Sequence, residues 1–245
     1  MTDWEHSSPA PHEAAGNARA VALTPQELLC LHPFFSALTP RDILQLRVHR
    51  RRMSAGEILF HKGDPGDGLY GVLAGRVAFT VDSADGKELI LNLLGPGEFF
   101  GEIALLDGKG RSATGVVRDD GELLFITRGD FLAFFAERPQ AMLQIVVLLC
   151  DRLRRSTDYI ADSAFLDLSR RLAKQLVMLL NGGRPALPAG LRISHAELAS
   201  MLGVSRERVS RQLGEWSDRG ILDQGRGYLI VRDRRALEHV ITGND

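Results

Sequence analysis

The stretch EILFHKGDPGDGLYGVLAGRVAFTVDSADGKELILNLLGPGEFF, residues 57 to 100, is a series of short apolar runs cut by Gly, Pro and Asp. A helix does not survive that density of breakers, since each interior Gly costs about 1 kcal/mol and each Pro about 3. Short strands joined by tight turns do survive it, and regular turn signals between such strands indicate an antiparallel barrel or jelly roll. The run ADGKE (84–88) reads as a hairpin turn. GELLFITRGDFLAFF closes the β region and returns the chain to helix.

Helical patterns flank this region. Residues 24–50 hold two short ones, each opened by a Thr-Pro start signal. Residues 139–163, PQAMLQIVVLLCDRLRRSTDYIADS, have no Gly and a single Pro at the start. Val146, Cys150, Leu153, Thr157, Ile160 and Ala164 follow at alternating spacings of four and three, the seam of a two-stranded coiled coil. The same helix could instead pack on its own β region through Leu143, Val147 and Leu148, and both readings can hold together. A further helix, FLDLSRRLAKQLVMLL, stops at NGG, and RPALPAGLRIS supplies a loop and a short strand.

Charge is unevenly spread. Residues 163–245 carry 13 Lys and Arg against 9 Asp and Glu, on a chain whose net charge is −1. A basic C-terminal part on an acidic body points mildly to nucleic acid, because phosphate contacts need Lys and Arg. The first twenty residues carry acids early and lack an apolar core, so no signal peptide is expected there, and residues 1–22 read as a mobile tail. No run approaches the ~18 apolar residues of a membrane span. Cys30 and Cys150 are too few for a disulfide framework or an iron–sulfur cluster. The cytoplasm is the expected compartment.

Segment 194–218 carries the physics of a helix-turn-helix. Ser194 and Glu197 have the spacing of a capping box; Ala196, Leu198, Ala199 and Leu202 are expected to bury one side. Gly203 permits a sharp turn, Val204 plugs the space between helices, and Ser205 caps the second helix. Val209 and Leu213 face inward, leaving Arg206, Glu207, Ser210 and Arg211 on the opposite face near the N-terminus, the end that meets base edges in a major groove. Arg206 and Arg211 suit guanine, Glu207 suits a cytosine amino group, and Arg208 suits phosphate. ILDQGRGYLIVRD then reads as a β-hairpin with a Gly-rich turn.

GEIALLDGKGRSATG, residues 101–115, places one acid and one arginine in a small, apolar frame. EIALL reads as a single helical turn after Gly101, whose free N–H groups at Glu102, Ile103 and Ala104 face outward. Such an end plus one arginine suits a singly charged anion such as a cyclic phosphodiester. A 3′,5′-cyclic nucleotide also carries a free 2′-hydroxyl. In this reading Arg111 neutralises the phosphate, Ser112 donates to it, and Glu102 accepts from the sugar. A surface Glu–Arg pair in a loop is the plainer alternative.

On KGDPGDGLYGVLAGRV, GEIALLDGKGRSA, AFLDLSRRLA and SRERVSRQL, the chain resembles the Crp/Fnr family of bacterial transcription regulators over roughly residues 30–232, nearest its cyclic-AMP receptor protein branch. The resemblance implies an α+β fold. A jelly-roll-like β-roll that binds a cyclic nucleotide (23–138) leads into a dimerisation helix (139–163) and a winged helix-turn-helix (164–245). It also implies that one hydroxylic pair on the dimer helix reads the purine; here that place holds Ser156 and Thr157, reversed from the family's Thr-Ser order. Adenine and guanine therefore both stay open, as cAMP or cGMP. Arg206, Glu207 and Arg211 match the family residues that read a TGTGA-type half-site, so a TGTGA-like palindrome is the implied target; Ser210 completes an E-x-x-S-R pattern shared with the Fnr side, and Ser205 and Arg208 join the expected DNA-binding set from the capped end. The partners implied are double-stranded DNA, a second copy of the chain and RNA polymerase. The rivals are a different effector on the same scaffold and a cyclic-nucleotide-binding adaptor without DNA readout; His32, His49 and His61 are scattered and read as structural or exposed rather than as haem ligands, and cyclic di-GMP suits the Glu102 and Arg111 logic less well. No H-x-H or H-x-x-x-H pattern lies on the strands, so neither a bound metal nor an enzyme of the jelly-roll metal type is expected.

Overall fold

The computed structural model describes residues 23–181 and 190–243, so the 1–22 segment and most of RPALPAG lie outside the described residues. The two Thr-Pro signals open α1 (Pro25–Leu31) and α2 (Pro40–Gln45), each with a complete capping box, Thr24 with Glu27 and Thr39 with Asp42. Between them lies a 3-10 turn, Pro33–Phe35, which the sequence reading did not anticipate.

The Gly- and Pro-cut region forms β1 (His49–Met53), β2 (Ile58–Phe60), β3 (Gly68–Asp82), β4 (Glu88–Leu94) and β5 (Phe99–Phe100). After α3 (Glu102–Asp107) comes β6 (Thr114–Thr127). Pairing is antiparallel throughout, in the order β1-β6-β3-β4, with β2 on β6 and β5 on β3. The register of β3 on β6 shifts three times between Val72 and Val77, which lets two long strands bend together into a roll. Alternation sorts the side chains. Tyr70, Val72, Val77, Val117 and Leu123 join Phe60 and Phe100 in one core. Leu69, Leu73, Leu124 and Ile126 face the other way, onto Phe34, Phe35, Phe131 and Phe135. The last two belong to α4 (Arg128–Ala136).

His32 sits at the edge of this aromatic cluster, its ring 4.8 Å from that of Phe99. Burial, reinforced by the nearby positive charge of Arg152, pushes its pKa down to about 4. An unfolded histidine takes up a proton near pH 6.5, so the folded chain binds fewer protons between those values. Stability contributed by the neutral ring is present above pH 6.5 and is lost as pH falls toward 4. Urea unfolding should show a loss on the order of 2 kcal/mol over that window, after discounting for partial exposure. His32→Gln should flatten that part of the slope.

The long helix α5 runs Pro139–Phe165. It meets its own β-roll through Ala141 and Ile145, with Leu148 and Leu149 partly buried beside them. Leu143 and Val147, expected on that face, are instead more than half exposed. Stepping by four from Ala141 reaches Ile145 and then Leu149, a stripe that turns both residues outward. The chain breaks at Leu166–Asp167, so the next helix, α6 (Leu168–Asn181), starts three residues later than the FLDLS pattern suggested; the Asp167 carboxylate accepts from the Arg170 amide at 2.9 Å.

The C-terminal unit contains α7 (His195–Leu202), α8 (Arg206–Asp218), the hairpin β7 (Leu222–Gly225) and β8 (Tyr228–Val231), and α9 (Arg234–Thr242). The sequence reading did not include α9, which closes the unit against α6 through buried Leu237 and Val240. Leu191 bridges to Leu229, the described remnant of the expected short strand. Ala78, Ile90 and Leu93 of the β-roll share a core with this unit. Arg76 adds a polar tie, donating to the Arg192 carbonyl at 2.9 Å and lying 3.4 Å from Glu197.

Candidate ligand pocket and DNA-reading surface

Gly101 adopts φ +92°, a conformation that side chains rarely take, and a Cβ there would meet the Arg111 guanidinium and lie 2.9 Å from the Gly68 carbonyl. The turn delivers Glu102 and Ala104 into the interior, 1% and 2% exposed, and leaves Ile103 at 42%. Arg111 is 3% exposed, held in place by backbone bonds at both ends: its amide donates to the Asp64 carbonyl and its carbonyl accepts from the Gly63 amide, each at 2.8 Å. Its guanidinium donates to the Gly101 carbonyl at 3.0 Å, to the Gly68 carbonyl at 3.2 Å and to the Asp67 carboxylate, and it lies 4.3 Å above the Phe60 ring. Ser112, beside it, is exposed.

Glu102 and Arg111 therefore have separate partners. Glu102 receives a hydrogen bond from Arg152 of α5, which also donates to the Phe99 carbonyl at 2.6 Å. The second oxygen of Glu102, Oε2, is buried and has no hydrogen-bond partner. A buried carboxylate oxygen left unpaired is costly, and it is an acceptor for an incoming hydroxyl. Ser156 and Thr157 lie one turn beyond Arg152, exposed, with their hydroxyls donating to the Arg152 and Leu153 carbonyls at 3.0 and 3.1 Å. A weak backbone bond of this kind is readily exchanged for a ligand atom.

Sequence reasoning missed Arg152, Asp67 and Tyr70. The Tyr70 hydroxyl donates to Asp67 at 2.7 Å, and burial with that bond pushes its pKa up to about 12. For Arg152 a signal existed: it lies four residues before Ser156, on the same helix face. Asp67 was hidden in a turn-rich run where aspartates serve the backbone.

In the C-terminal unit the Ser194–Glu197 capping box forms, Gly203 takes φ +64°, Val204 is partly buried, and Val209 and Leu213 are fully buried. Ala196 is exposed, a correction to the expected apolar side; Met201 takes the buried place, because the first turn of α7 projects beyond the core. Ser205 occupies the N-cap of α8 but makes no cap bond to the backbone; the backbone amide of Glu207 and then the Ser205 hydroxyl hold the Glu207 carboxyl below its ordinary range. Arg206, Glu207, Arg208 and Arg211 are exposed on α8. Ser210 is half-buried, its hydroxyl 2.9 Å from the His195 ring. Among the described residues, no group of three or more His, Cys, Asp and Glu could hold a metal ion, and no helix is long and apolar enough to cross a membrane.

A β-roll with a buried acid and a buried arginine, joined by a long helix to a winged helix-turn-helix, is the architecture of a DNA-binding transcription regulator with a ligand-binding domain. Residues 50–138 match the cyclic nucleotide-binding domain and residues 170–240 the Crp-like helix-turn-helix domain. The chain is 38% identical over 213 residues to the cyclic AMP receptor protein of Thermus thermophilus, covering 86% of this chain and 97% of the relative. It is 30% identical over 216 residues to a CRP-like cAMP-activated global transcriptional regulator of Mycobacterium tuberculosis, covering 85% and 96%. Among solved structures, the c-di-GMP responsive global regulator CLP of Xanthomonas campestris matches with a TM-score of 0.67 at 30% identity, over 79% of this chain and 99% of that one. The chain belongs to the Crp/Fnr family of transcription regulators.

Proposed function

We propose that the protein is a homodimeric regulator in the cytoplasm whose affinity for a TGTGA-like palindrome is set by a 3′,5′-cyclic nucleotide bound in the β-roll. The observation that carries the ligand reading is the buried, unpartnered Oε2 of Glu102, one residue from the Gly101 carbonyl that accepts from the buried guanidinium of Arg111. Glu102 accepts from a ribose 2′-hydroxyl; Arg111 neutralises a single phosphate charge, with Gly101, Ile103, Ala104 and Ser112 framing it. The phosphate must compete with Asp67 for Arg111. The relatives named for cAMP support this ligand over cyclic di-GMP, which carries two phosphates for one arginine.

The exposed seam of α5 is the proposed dimer face: Val146, Leu153 and Ile160 are 54%, 69% and 68% exposed on the single chain. There Ser156 and Thr157 reach the purine, Thr157 from the partner subunit. The ligand biases the lower half of α5 and, through the break at Leu166–Asp167, sets two recognition helices about 34 Å apart. It does so by binding the DNA-competent arrangement more tightly; taking a 1:99 population to 99:1 needs ~5.5 kcal/mol. RNA polymerase is the proposed downstream partner.

Fluorescence anisotropy with a labelled TGTGA palindrome, with and without cAMP or cGMP, tests the reading: one nucleotide should tighten binding at least tenfold, and equal binding in every arm would refute gating. Leu153→Asp places a charge on the seam and should convert the protein to monomer in sedimentation velocity, with loss of palindrome binding. A dimer unchanged by Leu153→Asp would move the interface elsewhere.

A further inference from the structure

His195 is the first residue of α7, and its Nδ1 lies 2.9 Å from the hydroxyl oxygen of Ser210 on α8. Ser210 stands between Glu207 and Arg211, one turn from each other on the exposed face proposed to read bases, and it is half-buried where they are exposed. A free serine hydroxyl rotates. It offers one donor and two acceptor sites, and so contacts any base edge with little discrimination.

We propose that His195 is a positioning residue for DNA specificity: by engaging the Ser210 hydroxyl through Nδ1, it makes that oxygen present one hydrogen-bonding polarity to the base step it meets. Burial, then the positive charge of Arg206, lowers the pKa of the ring and so favours its neutral form. A neutral imidazole with its proton on Nε2 leaves Nδ1 bare. Ser210 then donates inward and turns its lone pairs outward. Those lone pairs suit the exocyclic amino groups of adenine or cytosine and reject the O6 and N7 acceptors of guanine. A serine would thus act as a directional reader because of a side chain on the other helix of the motif.

This inference rests on the reading of α8 as the base-contacting helix. Its test is selection and sequencing of DNA sites from a random pool by the full-length protein, comparing wild type with His195→Phe, His195→Asn and Ser210→Ala. The expected result is a preference for an amino-bearing base at one step of each half-site. His195→Phe and Ser210→Ala should each flatten that step by about three- to ten-fold, the size of a single hydrogen bond. The double variant should flatten it no further, and His195→Asn, which keeps a polar atom near the Nδ1 position, should retain the preference. Ser210→Ala reports on the same contact with His195 left intact. A His195→Phe protein that keeps the preference, or loses affinity equally at every step as a phosphate contact would, overturns the inference while leaving α8 as reader. A wild-type protein without any base preference overturns both.

Discussion

Replacing Arg111 with alanine should abolish the response to cyclic nucleotide, weakening binding by about 3–5 kcal/mol, or some hundred- to several-thousand-fold. The size follows from burial. The guanidinium is 3% exposed, so no solvent takes over the phosphate charge, and the variant removes the hydrogen bonds that it donates to the Gly68 and Gly101 carbonyls. It also releases Asp67, whose carboxylate then faces the incoming phosphate with like charge. Arg111→Lys should recover only a fraction, since an ammonium keeps the charge but not the planar fork that reaches Gly101, Gly68 and Asp67 together. Calorimetry of both variants against the preferred nucleotide checks this, with thermal melting to confirm that the β-roll stays folded. Wild-type affinity in Arg111→Ala would remove the arginine from the site.

Trp216→Ala should cost the C-terminal unit about 3–5 kcal/mol, much of the stability expected of so small a body. Trp216 is 1% exposed and shares a core with Leu172, Leu176, Leu198, Leu213, Leu222 and Leu237, drawn from α6, α7, α8, β7 and α9. Its loss therefore loosens every element that orients α8. DNA binding should be lost at 37 °C while nucleotide binding survives, because Glu102 and Arg111 are set by the two other cores. Urea unfolding followed by circular dichroism, run beside nucleotide titration, separates the two effects. Because Ala78, Ile90 and Leu93 belong to the same core as Trp216, part of the β3–β4 face should also become exposed. Palindrome binding unchanged at 37 °C would contradict the assignment.

The elements that local chemistry dictates were legible in the sequence. Breakers at almost every turn announced the roll, and Thr24, Thr39 and Ser194 announced helix starts that all form with their acidic partners. Most of what escaped depended on tertiary placement. The helix α9 has an N-cap at Asp233 and a strong apolar stripe, Leu237 and Val240 buried with Ala236 and Ile241 partly buried beside them, so its signal was present in the sequence; only the α6 surface it covers shows what the stripe is for. Leu143 and Val147 belonged to an upper half of α5 that is apolar nearly all round, so only the packed structure could choose the inward stripe. At the candidate site, Glu102 and Arg111 were legible as an acid for the sugar and a base for the phosphate, but not the side chains that hold them. The fold supplies Arg152 from a helix fifty residues away and Asp67 from a turn.

The most direct measurement is a calorimetric titration of the full-length protein with cAMP and then cGMP in matched buffer, with cyclic di-GMP as the third arm. The account predicts saturable micromolar binding of one 3′,5′-cyclic mononucleotide, lost in Arg111→Ala, with the preferred purine reporting how Ser156 and Thr157 are used in their reversed order. Binding of cyclic di-GMP alone, or of none of the three, would contradict it.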